Sequence, residues 1–303
     1  MADAAREAIV IVGPGRAGVA LARLWQKAGH RIAGLVGGSP ASLPAARAVL
    51  GADVASISHR EALGAGTLVV IAVPDDRVDG AVADLALGRP SRPETLALHL
   101  GGARGADALV ALARAGAKTA AFHPLRSFPT RDPGAHDLGG ALCAIEAAPP
   151  DEPRLFALAR DIGGSPFALA AKDRALYHAG AATAGNATLA LLDLAIRAFE
   201  QAGVPRDLGL RSLVDLAKGA LENAATLGPA AALTGPVVRG DREVIKRHLA
   251  ALEAFSPVDQ RFYWALVRAQ IRTASHREDG WKALEVASAH DDMGASDAAE
   301  AGA

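Results

Sequence analysis

The chain has 303 residues, of which 50% are apolar and 21% are charged, and its formal net charge at pH 7 is −1. This composition is ordinary for a globular protein with room for two domains, and the near-zero charge argues against electrostatic capture of nucleic acid or of an anionic membrane surface. A single cysteine, Cys143, excludes an internal disulfide, and without a signal-peptide pattern or a run of about 18 apolar residues we expect a cytoplasmic protein that spans no membrane.

The first half of the chain alternates short apolar runs with helical stretches, from residue 8 to about residue 170. Strands are predicted at Ala8–Val12, Arg31–Val36, Thr67–Val73, Thr95–Leu100, Lys118–Phe122, Ala141–Ala147 and Ser165–Ala170. Helices are predicted at Ala17–Ala28, Asp75–Leu87, Arg104–Ala115 and Glu152–Ile162. Because such alternation is typical of parallel β–α–β units, we expect an α/β domain with a mostly parallel sheet over residues 6–170.

After Lys172 the alternation stops and only helical patterns follow. Helices are predicted at Lys172–Ala202, at Pro205–Leu227, at Asp241–Phe255 with Asp241 as the cap, and from Pro257 to about Ser275. The sequence therefore predicts an all-helical second domain over residues 171–280. Residues 289–303 are small, acidic and without periodicity, so we expect a disordered tail.

Gly13, Gly15 and Gly18 form the pattern G-x-G-x-x-G, with Pro14, Arg16 and Ala17 between them. The pattern follows an apolar strand and opens a helix, which is the context of a dinucleotide-binding loop. Glycine there allows a tight turn, a close approach of the backbone to pyrophosphate and close packing of helix on strand, while the helix N-terminus binds the phosphates. The alternative is a glycine-rich turn without a ligand. We predict that these six residues bind a nicotinamide dinucleotide.

The residues after the second predicted strand distinguish the two nicotinamide cofactors. A site for NAD carries an acidic residue about 20 positions after the glycines, which binds the ribose 2′-hydroxyl. Here Gly37, Gly38 and Ser39 occupy that place, and Arg16 or Arg47 could reach a 2′-phosphate next to Ser39. The sequence favours NADP and leaves NAD open.

Polar side chains stand where three predicted strands end, and ligands of open parallel sheets bind beyond the carboxyl ends of the strands. Val73, Pro74 and Asp75 are expected beside the nicotinamide half of the cofactor. His99 and His123 are expected to face the substrate, because a histidine can exchange a proton near neutral pH. The alternative is that each histidine has only a structural role. This alternative is weaker for His123, because a proline fixes its place at the start of a loop, where functional side chains concentrate.

The helical half carries further polar candidates. His178 and Asn186 are eight positions apart in one predicted helix, about 80° around its axis, and Asn186 is unusual in a helix of alanine and leucine. A hydrogen bond in a dimer core is the alternative for Asn186. Arg239 lies between two glycine-marked turns, where a guanidinium could bind a carboxylate with both of its arms.

The order of these motifs resembles the 6-phosphogluconate-dehydrogenase-like superfamily, a Rossmann domain followed by a helical domain. Within it the chain is most similar to a family of Rossmann-like proteins with a C-terminal domain of unknown function, related to pyrroline-5-carboxylate reductase. The segments that carry the resemblance are GPGRAG (13–18), AVPDD (72–76), HLGGARG (99–105), FHPLRSFP (122–129), YHAGAATAGN (177–186) and LTGPVVRGD (233–241).

The resemblance adds expectations about the site and the assembly. The His-Pro segment looks like that of prephenate and arogenate dehydrogenases, which implies that His123 transfers the proton. Ketopantoate reductases share the overall plan, but the substrate loop of pyrroline-5-carboxylate reductases is echoed only by Gly235 and Pro236. The superfamily commonly dimerises through the helical domain, so a homodimer is expected.

The sequence thus predicts an NAD(P)-dependent oxidoreductase that transfers a hydride between a nicotinamide cofactor and a small keto or imino acid, with no metal site. His123 is the predicted acid or base, or else only binds substrate, and His178, Asn186 and Ser127 orient the substrate. Arg239 is the predicted carboxylate anchor. The alternatives are a non-catalytic NAD(P)-binding sensor and a dehydrogenase of a prephenate-like hydroxy acid.

Overall fold

The computed structural model describes residues 6–90, 92–132, 137–276, 281–284 and 286. The chain divides into two compact units, residues 1–183 and residues 184–303. This division falls within the long predicted helix, further along the chain than the predicted boundary after residue 170. The predicted disordered tail, residues 289–303, lies outside the described residues.

The first unit is built on a sheet of eight strands in the order β3-β2-β1-β4-β5-β6-β7-β8. The strands are β1 Ala8–Val12, β2 Arg31–Val36, β3 Ser56–Ile57, β4 Leu68–Ile71, β5 Leu96–His99, β6 Lys118–Pro124, β7 Leu142–Ala147 and β8 Ser165–Ala168. Neighbouring strands run parallel except β6 and β7, which are antiparallel. The predicted α/β class and mostly parallel sheet are confirmed.

Helices flank this sheet and complete the first unit. They are α1 Arg16–Lys27, α2 Ser42–Leu50, α3 His59–Ala65, α4 Val78–Leu85, α5 Val110–Arg114, α6 Glu152–Asp161 and α7 Arg174–Ala182. Short 3₁₀ turns precede three of them, at Asp75–Arg77, Ala106–Leu109 and Ala171–Asp173.

The two faces of the sheet bury separate apolar cores, because successive side chains of a strand point to opposite faces. In β1, Ile9 and Ile11 pack into one core while Val10 and Val12 pack into the other. A strand buried on both faces reads as a continuous apolar run, which is why β1 and β4 were evident in the sequence.

The strand order creates a crevice at the carboxyl end of the sheet. Strand β1 lies between β2 and β4, so the direction in which the chain adds strands reverses there. Ligands of doubly wound sheets bind at such a reversal, beyond the carboxyl ends of the strands. The loops after β1, β4, β5 and β6 all open at this edge.

Two features of the first unit differ from the prediction. The segment α2–β3–α3 was not predicted, and β7 does not continue the parallel order. A parallel connection needs a crossover, usually a helix. Between β6 and β7 the described residues contain no helix, so the chain returns beside β6 in the opposite direction.

The second unit is helical throughout its described residues, as predicted. Its helices are α8 Thr188–Gln201, α9 Arg206–Leu227, α10 Pro229–Ala232, α11 Pro236–Arg239, α12 Arg242–Phe255, α13 Pro257–Ala274 and α14 Trp281–Leu284. A buried apolar cluster that includes Val237, Ile245 and Val267 joins α11, α12 and α13.

The helix predicted as continuous from Lys172 to Ala202 is interrupted by a π-helical turn at Thr183–Ala187. The Thr183 hydroxyl donates to the Ala179 carbonyl and the Thr188 hydroxyl to the Ala184 carbonyl, each one turn back. Threonine bonds of this kind bend helices, and a π turn changes the angular phase of everything after it. The expected 80° between His178 and Asn186 therefore does not hold.

The helical run Ala171–Gln201 is also apolar for its length. Its most apolar window of 18 residues has a mean hydropathy of 1.3, and 11% of that window is buried. Within the described residues, this one helical run has the length and composition of a membrane span. The sequence prediction concerned an uninterrupted run of about 18 apolar residues, and His178, Asn186 and Asp193 interrupt this segment.

Candidate functional site

The glycine loop has the geometry that its spacing predicts. Gly13 has φ +84°, in the left-handed region, and its N–H donates to the Val36 carbonyl at 3.0 Å. A Cβ on Gly18 would lie 2.7 Å from the Ala72 Cβ, so glycine there lets α1 pack closely on the sheet. A Cβ on Gly15 would meet only the Gly13 carbonyl oxygen, at 4.0 Å. Among the described residues, Gly15 therefore faces open space, where a ligand can approach the protein backbone.

The N-terminus of α1 is free of side-chain caps. Gly15 is the N-cap residue and makes no side-chain hydrogen bond, so the first amides of the helix, at Arg16, Ala17 and Gly18, lack the acceptors that an interior turn supplies. Such amides bind anions. Arg131, from the loop after β6, approaches the same turn, and its Nε lies 3.5 Å from the Pro14 carbonyl oxygen.

The turn after β2 carries the residues expected at the adenosine end of a dinucleotide. Gly37 and Gly38 both have positive φ, and Ser39 is exposed beyond them. The His59 ring lies 3.7 Å from the position of a Cβ on Gly37, a neighbour that the sequence reading missed. Arg47 donates through Nε to the Val54 carbonyl oxygen at 2.9 Å.

His123 pairs with a tyrosine at the carboxyl end of β6. Its Nδ1 lies 2.9 Å from the Tyr177 hydroxyl, and the two rings meet edge to face with centroids 5.6 Å apart. The His178 ring also packs edge to face on His123, at 6.0 Å. The structure thus brings together two predicted site residues, His123 and His178. It adds Tyr177, for which the sequence predicted no role.

The surroundings of His123 hold its ring in the neutral form. Burial, followed by the charges of His178 and Arg174, lowers the pKa of His123 from 6.5 to about 4, against a weaker opposite effect of Asp75. Burial also raises the pKa of the Tyr177 hydroxyl. The Nε2 atom of His123 makes no hydrogen bond to the described residues, so it is the ring nitrogen available to a ligand.

His99 organises the loop that follows β5. It is fully buried, its Nδ1 accepts from the Gly101 N–H at 3.1 Å, and its Nε2 lies 2.9 Å from the Gly105 carbonyl oxygen. Burial lowers the pKa of His99, so its neutral Nε2–H donates to Gly105. With both ring nitrogens bound to backbone, His99 reaches the site through the loop Gly101–Ala106.

That loop lies directly against the two site histidines. A Cβ on Gly102 would be 2.4 Å from His178 Cδ2 and 3.0 Å from His123 Nε2, and one on Gly101 would be 2.8 Å from Asp75 Oδ1. None of these glycines has a positive φ, so glycine is needed here for space. Asp75 thereby joins the loop after β4 to the site, next to Val73 and Pro74.

The remaining predicted residues are Ser127, Asn186 and Arg239. Ser127 is exposed in the loop after β6 and lines a groove with Leu24 of α1, Arg126 and Phe128. Asn186 and Arg239 belong to the second unit. Asn186 is exposed in the π turn, and Arg239 pairs through Nε with the Asp241 carboxylate at 2.8 Å. Asp241 is the N-cap residue of α12 but makes no side-chain cap, because its carboxylate is bound to Arg239.

A glycine loop at the reversal point of a parallel sheet, followed by a helical unit, defines a Rossmann-like α/β protein. The comparisons with protein families agree with this class. Residues 2–124 match the model of the Rossmann-like domain, and residues 141–270 match that of a domain of unknown function, DUF2520. The chain therefore contains a Rossmann-like domain followed by a DUF2520 domain, the arrangement that the sequence motifs predicted.

Solved structures share the fold over nearly their whole length. The Bacteroides fragilis protein BF3122, a candidate NADP oxidoreductase, is 22% identical, with a TM-score of 0.73 over 88% of this chain and 98% of that chain. An imine reductase from Myxococcus stipitatus in complex with NADP⁺ is 14% identical, with a TM-score of 0.66 over 91% and 98%. Pyrroline carboxylate reductase from Plasmodium falciparum with NADP bound is 15% identical, with a TM-score of 0.56 over 92% and 98%. The curated proteins contain no match.

Proposed function

We propose that the protein is an NAD(P)-dependent oxidoreductase that prefers NADP and reduces the C=O or C=N bond of a small keto or imino acid. One observation carries the proposal: the His123–Tyr177 pair stands at the carboxyl edge of the sheet that also carries the glycine loop. A non-catalytic sensor needs the loop but has no use for such a pair.

The residues of the glycine loop fit a dinucleotide. The open space at Gly15 and the uncapped amides of Arg16, Ala17 and Gly18 would hold its pyrophosphate. When bound, the nicotinamide supplies the hydride. The solved relatives that contain NADP or NADP⁺ support the choice of cofactor class.

The preference for NADP depends on the adenosine end. No carboxylate follows Gly38 in the turn, and Ser39, Arg16 and the His59 ring could all donate to a 2′-phosphate. A carboxylate would repel that phosphate and bind the 2′-hydroxyl of NAD instead.

The neutral ring of His123 defines how a proton reaches the substrate. In the proposed arrangement the Tyr177 hydroxyl donates to His123 Nδ1, which lies 2.9 Å away. The ring proton is then on Nε2 and points away from Tyr177. There it donates a hydrogen bond to the substrate oxygen or nitrogen. As the substrate oxygen or nitrogen gains electrons, it takes the proton from His123 Nε2. His123 Nδ1 then takes the hydroxyl proton of Tyr177, and solvent returns a proton to the Tyr177 oxygen. His123 therefore both binds the substrate and transfers a proton to it.

The remaining site residues and the assembly stay proposals. His178, which packs on His123, and Ser127, Asn186 and Arg239 are proposed to orient the substrate and its carboxylate. We also propose a cytoplasmic homodimer formed by α7, α8 and α9. Each of these helices exposes a large leucine side chain: Leu176, Leu189 and Leu216 are 80%, 66% and 70% exposed. Exposed apolar side chains of this size are used in protein–protein interfaces.

The test is a fluorescence titration with NADPH and NADH, followed by a screen of 2-keto acids and cyclic imines for NADPH oxidation. We expect tighter binding of NADPH and turnover of at least one acid. His123→Asn should bind NADPH within about twofold of wild type and lose turnover by about 10²-fold or more. Binding without turnover across the panel would favour the sensor.

A matched control is His248→Asn in the second unit. His248 Nδ1 lies 2.8 Å from the Tyr263 hydroxyl, and their rings meet edge to face as in the site. We expect this variant to keep wild-type turnover. If His123→Asn also kept wild-type turnover, the proposed role of the pair would be wrong.

A further inference from the structure

A buried arginine lies beneath the site and has no place in the proposed chemistry. Arg174, the first residue of α7, is fully buried, and neither its Nε nor its Nη1 has a hydrogen-bond partner among the described residues. Its Nη2 donates to the Gly101 carbonyl at 3.1 Å. Burying a guanidinium is costly unless its charge and its donors are compensated, so its position needs a reason.

The partner in charge is a carboxylate on β7. Glu146 Oε2 lies 3.7 Å from Arg174 Nη1, close enough for an ion pair but too far for a hydrogen bond. The other oxygen, Oε1, accepts from the Ala106 N–H at 3.0 Å. A Cβ on Gly105 would lie 2.9 Å from Oε2, so the loop is pressed against this carboxylate.

The two members of the pair therefore hold opposite ends of one loop. Arg174 binds its first residue, Gly101, and Glu146 binds its last, Ala106. The middle of the loop packs on the site, where the position of a Cβ on Gly102 is 3.0 Å from His123 Nε2. A shift of either end would move the backbone that faces the reactive nitrogen.

We propose that Arg174 and Glu146 are a positioning pair, which fixes the loop Gly101–Ala106 against His123 and His178 and sets the electrostatic field at the His123 ring. The inference builds on the proposed role of His123, but its test needs neither cofactor nor substrate. Its failure and the failure of the proposed function are therefore distinguishable.

The charged and titratable groups that face His123 come from all elements packed around it. They are His178, Tyr177 and Arg174 of α7, Asp75 after β4, and His99 of β5. Arg174 disfavours protonation of His123, and Glu146 compensates Arg174. Removing the arginine and removing the carboxylate should thus act on His123 in opposite directions.

The experiment is an NMR titration of the full-length protein labelled with ¹³C at the histidine ring carbons, without added ligand. Two readouts are followed: the pKa of His123, and the nuclear Overhauser effect between the Gly102 α-protons and the His123 ring. In Arg174→Met we expect the pKa of His123 to rise by about half a unit or more and the Overhauser effect to weaken. In Glu146→Gln, whose amide oxygen still accepts from Ala106, we expect the effect to persist and the pKa to fall.

The control is a partly buried ion pair of the same unit, at the amino edge of the sheet. Arg154 binds the Glu7 carboxylate through Nε at 2.7 Å and also through Nη2. Arg154→Met removes a comparable pair, and we expect both readouts at His123 to stay at their wild-type values. If Arg174→Met does not fold, Glu146→Gln alone decides. Unchanged readouts in the variants of the pair, or an equal change in Arg154→Met, would overturn the proposal.

Discussion

Acid stability provides a quantitative check on the environment of His123. The pKa of His123 is lowered from 6.5 to about 4, chiefly by burial. Between these values the unfolded chain binds a proton that the folded chain does not, so the free energy of unfolding falls as the pH drops. The stabilisation is fully present above the unfolded pKa. His123→Asn, which keeps a polar atom near the Tyr177 hydroxyl, should remove this part of the pH dependence.

The size of the effect follows from the two pKa values. Between about pH 7 and about pH 5, the linkage relation gives a loss of about 2 kcal/mol from this one group. Because the ring is half-buried rather than fully buried, solvent screening reduces the expected loss to about 1–2 kcal/mol. The variant should therefore lose about 1–2 kcal/mol less than wild type over the same interval.

The assay is urea unfolding of wild type and variant at both pH values, followed by circular dichroism. His248→Asn serves as the matched variant, because it removes a His–Tyr hydrogen bond on an exposed surface. The measured quantity is the pH dependence of the free energy of unfolding. The effect of His123→Asn on it, relative to wild type, is compared with the effect of His248→Asn. Equal pH dependence in wild type and His123→Asn would refute the reasoning about burial of His123.

Three further predictions concern other parts of the molecule. Ser39→Asp should raise the Kd for NADPH by about tenfold or more and lower the Kd for NADH, because its carboxylate repels a 2′-phosphate. Both constants are measured by fluorescence titration. An unchanged ratio of the two Kd values would mean that the adenosine ribose does not bind next to residue 39. Gly102→Ala puts a Cβ 2.4 Å from His178 Cδ2, so it should lower the free energy of unfolding by about 1–3 kcal/mol and reduce turnover. Wild-type stability of this variant would mean that the loop Gly101–Ala106 can move freely. Leu216→Asp should shift the mass measured by light scattering from dimer to monomer, and a wild-type monomer would contradict the proposed surface.

Much of the fold follows from local sequence patterns. The strands Ala8–Val12 and Arg31–Val36 have the predicted bounds, because each is mainly apolar, follows a polar residue and ends directly before a glycine. The segment α2–β3–α3 was not recognised, since β3 has only two residues, Ser56 and Ile57. A strand that short has no periodicity to read.

The candidate site was predicted where a short local motif contains the residue, as for His123 at the end of β6 and His178 in α7. His123 and His178 were chosen from separate motifs, and the structure brings them together. Arg174 was not chosen, because a lone arginine at the start of a helix usually marks a solvated surface. Its burial depends on Glu146 from a strand that no local pattern connects to it. The π turn was missed for a similar reason, since Thr183 and Thr188 read as ordinary helix residues.

The central claim is that this protein transfers a hydride from a nicotinamide cofactor to a small keto or imino acid. The most direct measurement uses NADPH that carries deuterium at the reactive carbon of the nicotinamide, followed by mass spectrometry of the products from a panel of such acids. We expect a product that has gained one deuterium, in an amount that falls by about 10²-fold in His123→Asn. Binding of the labelled cofactor without transfer of deuterium to any acid of the panel would contradict it.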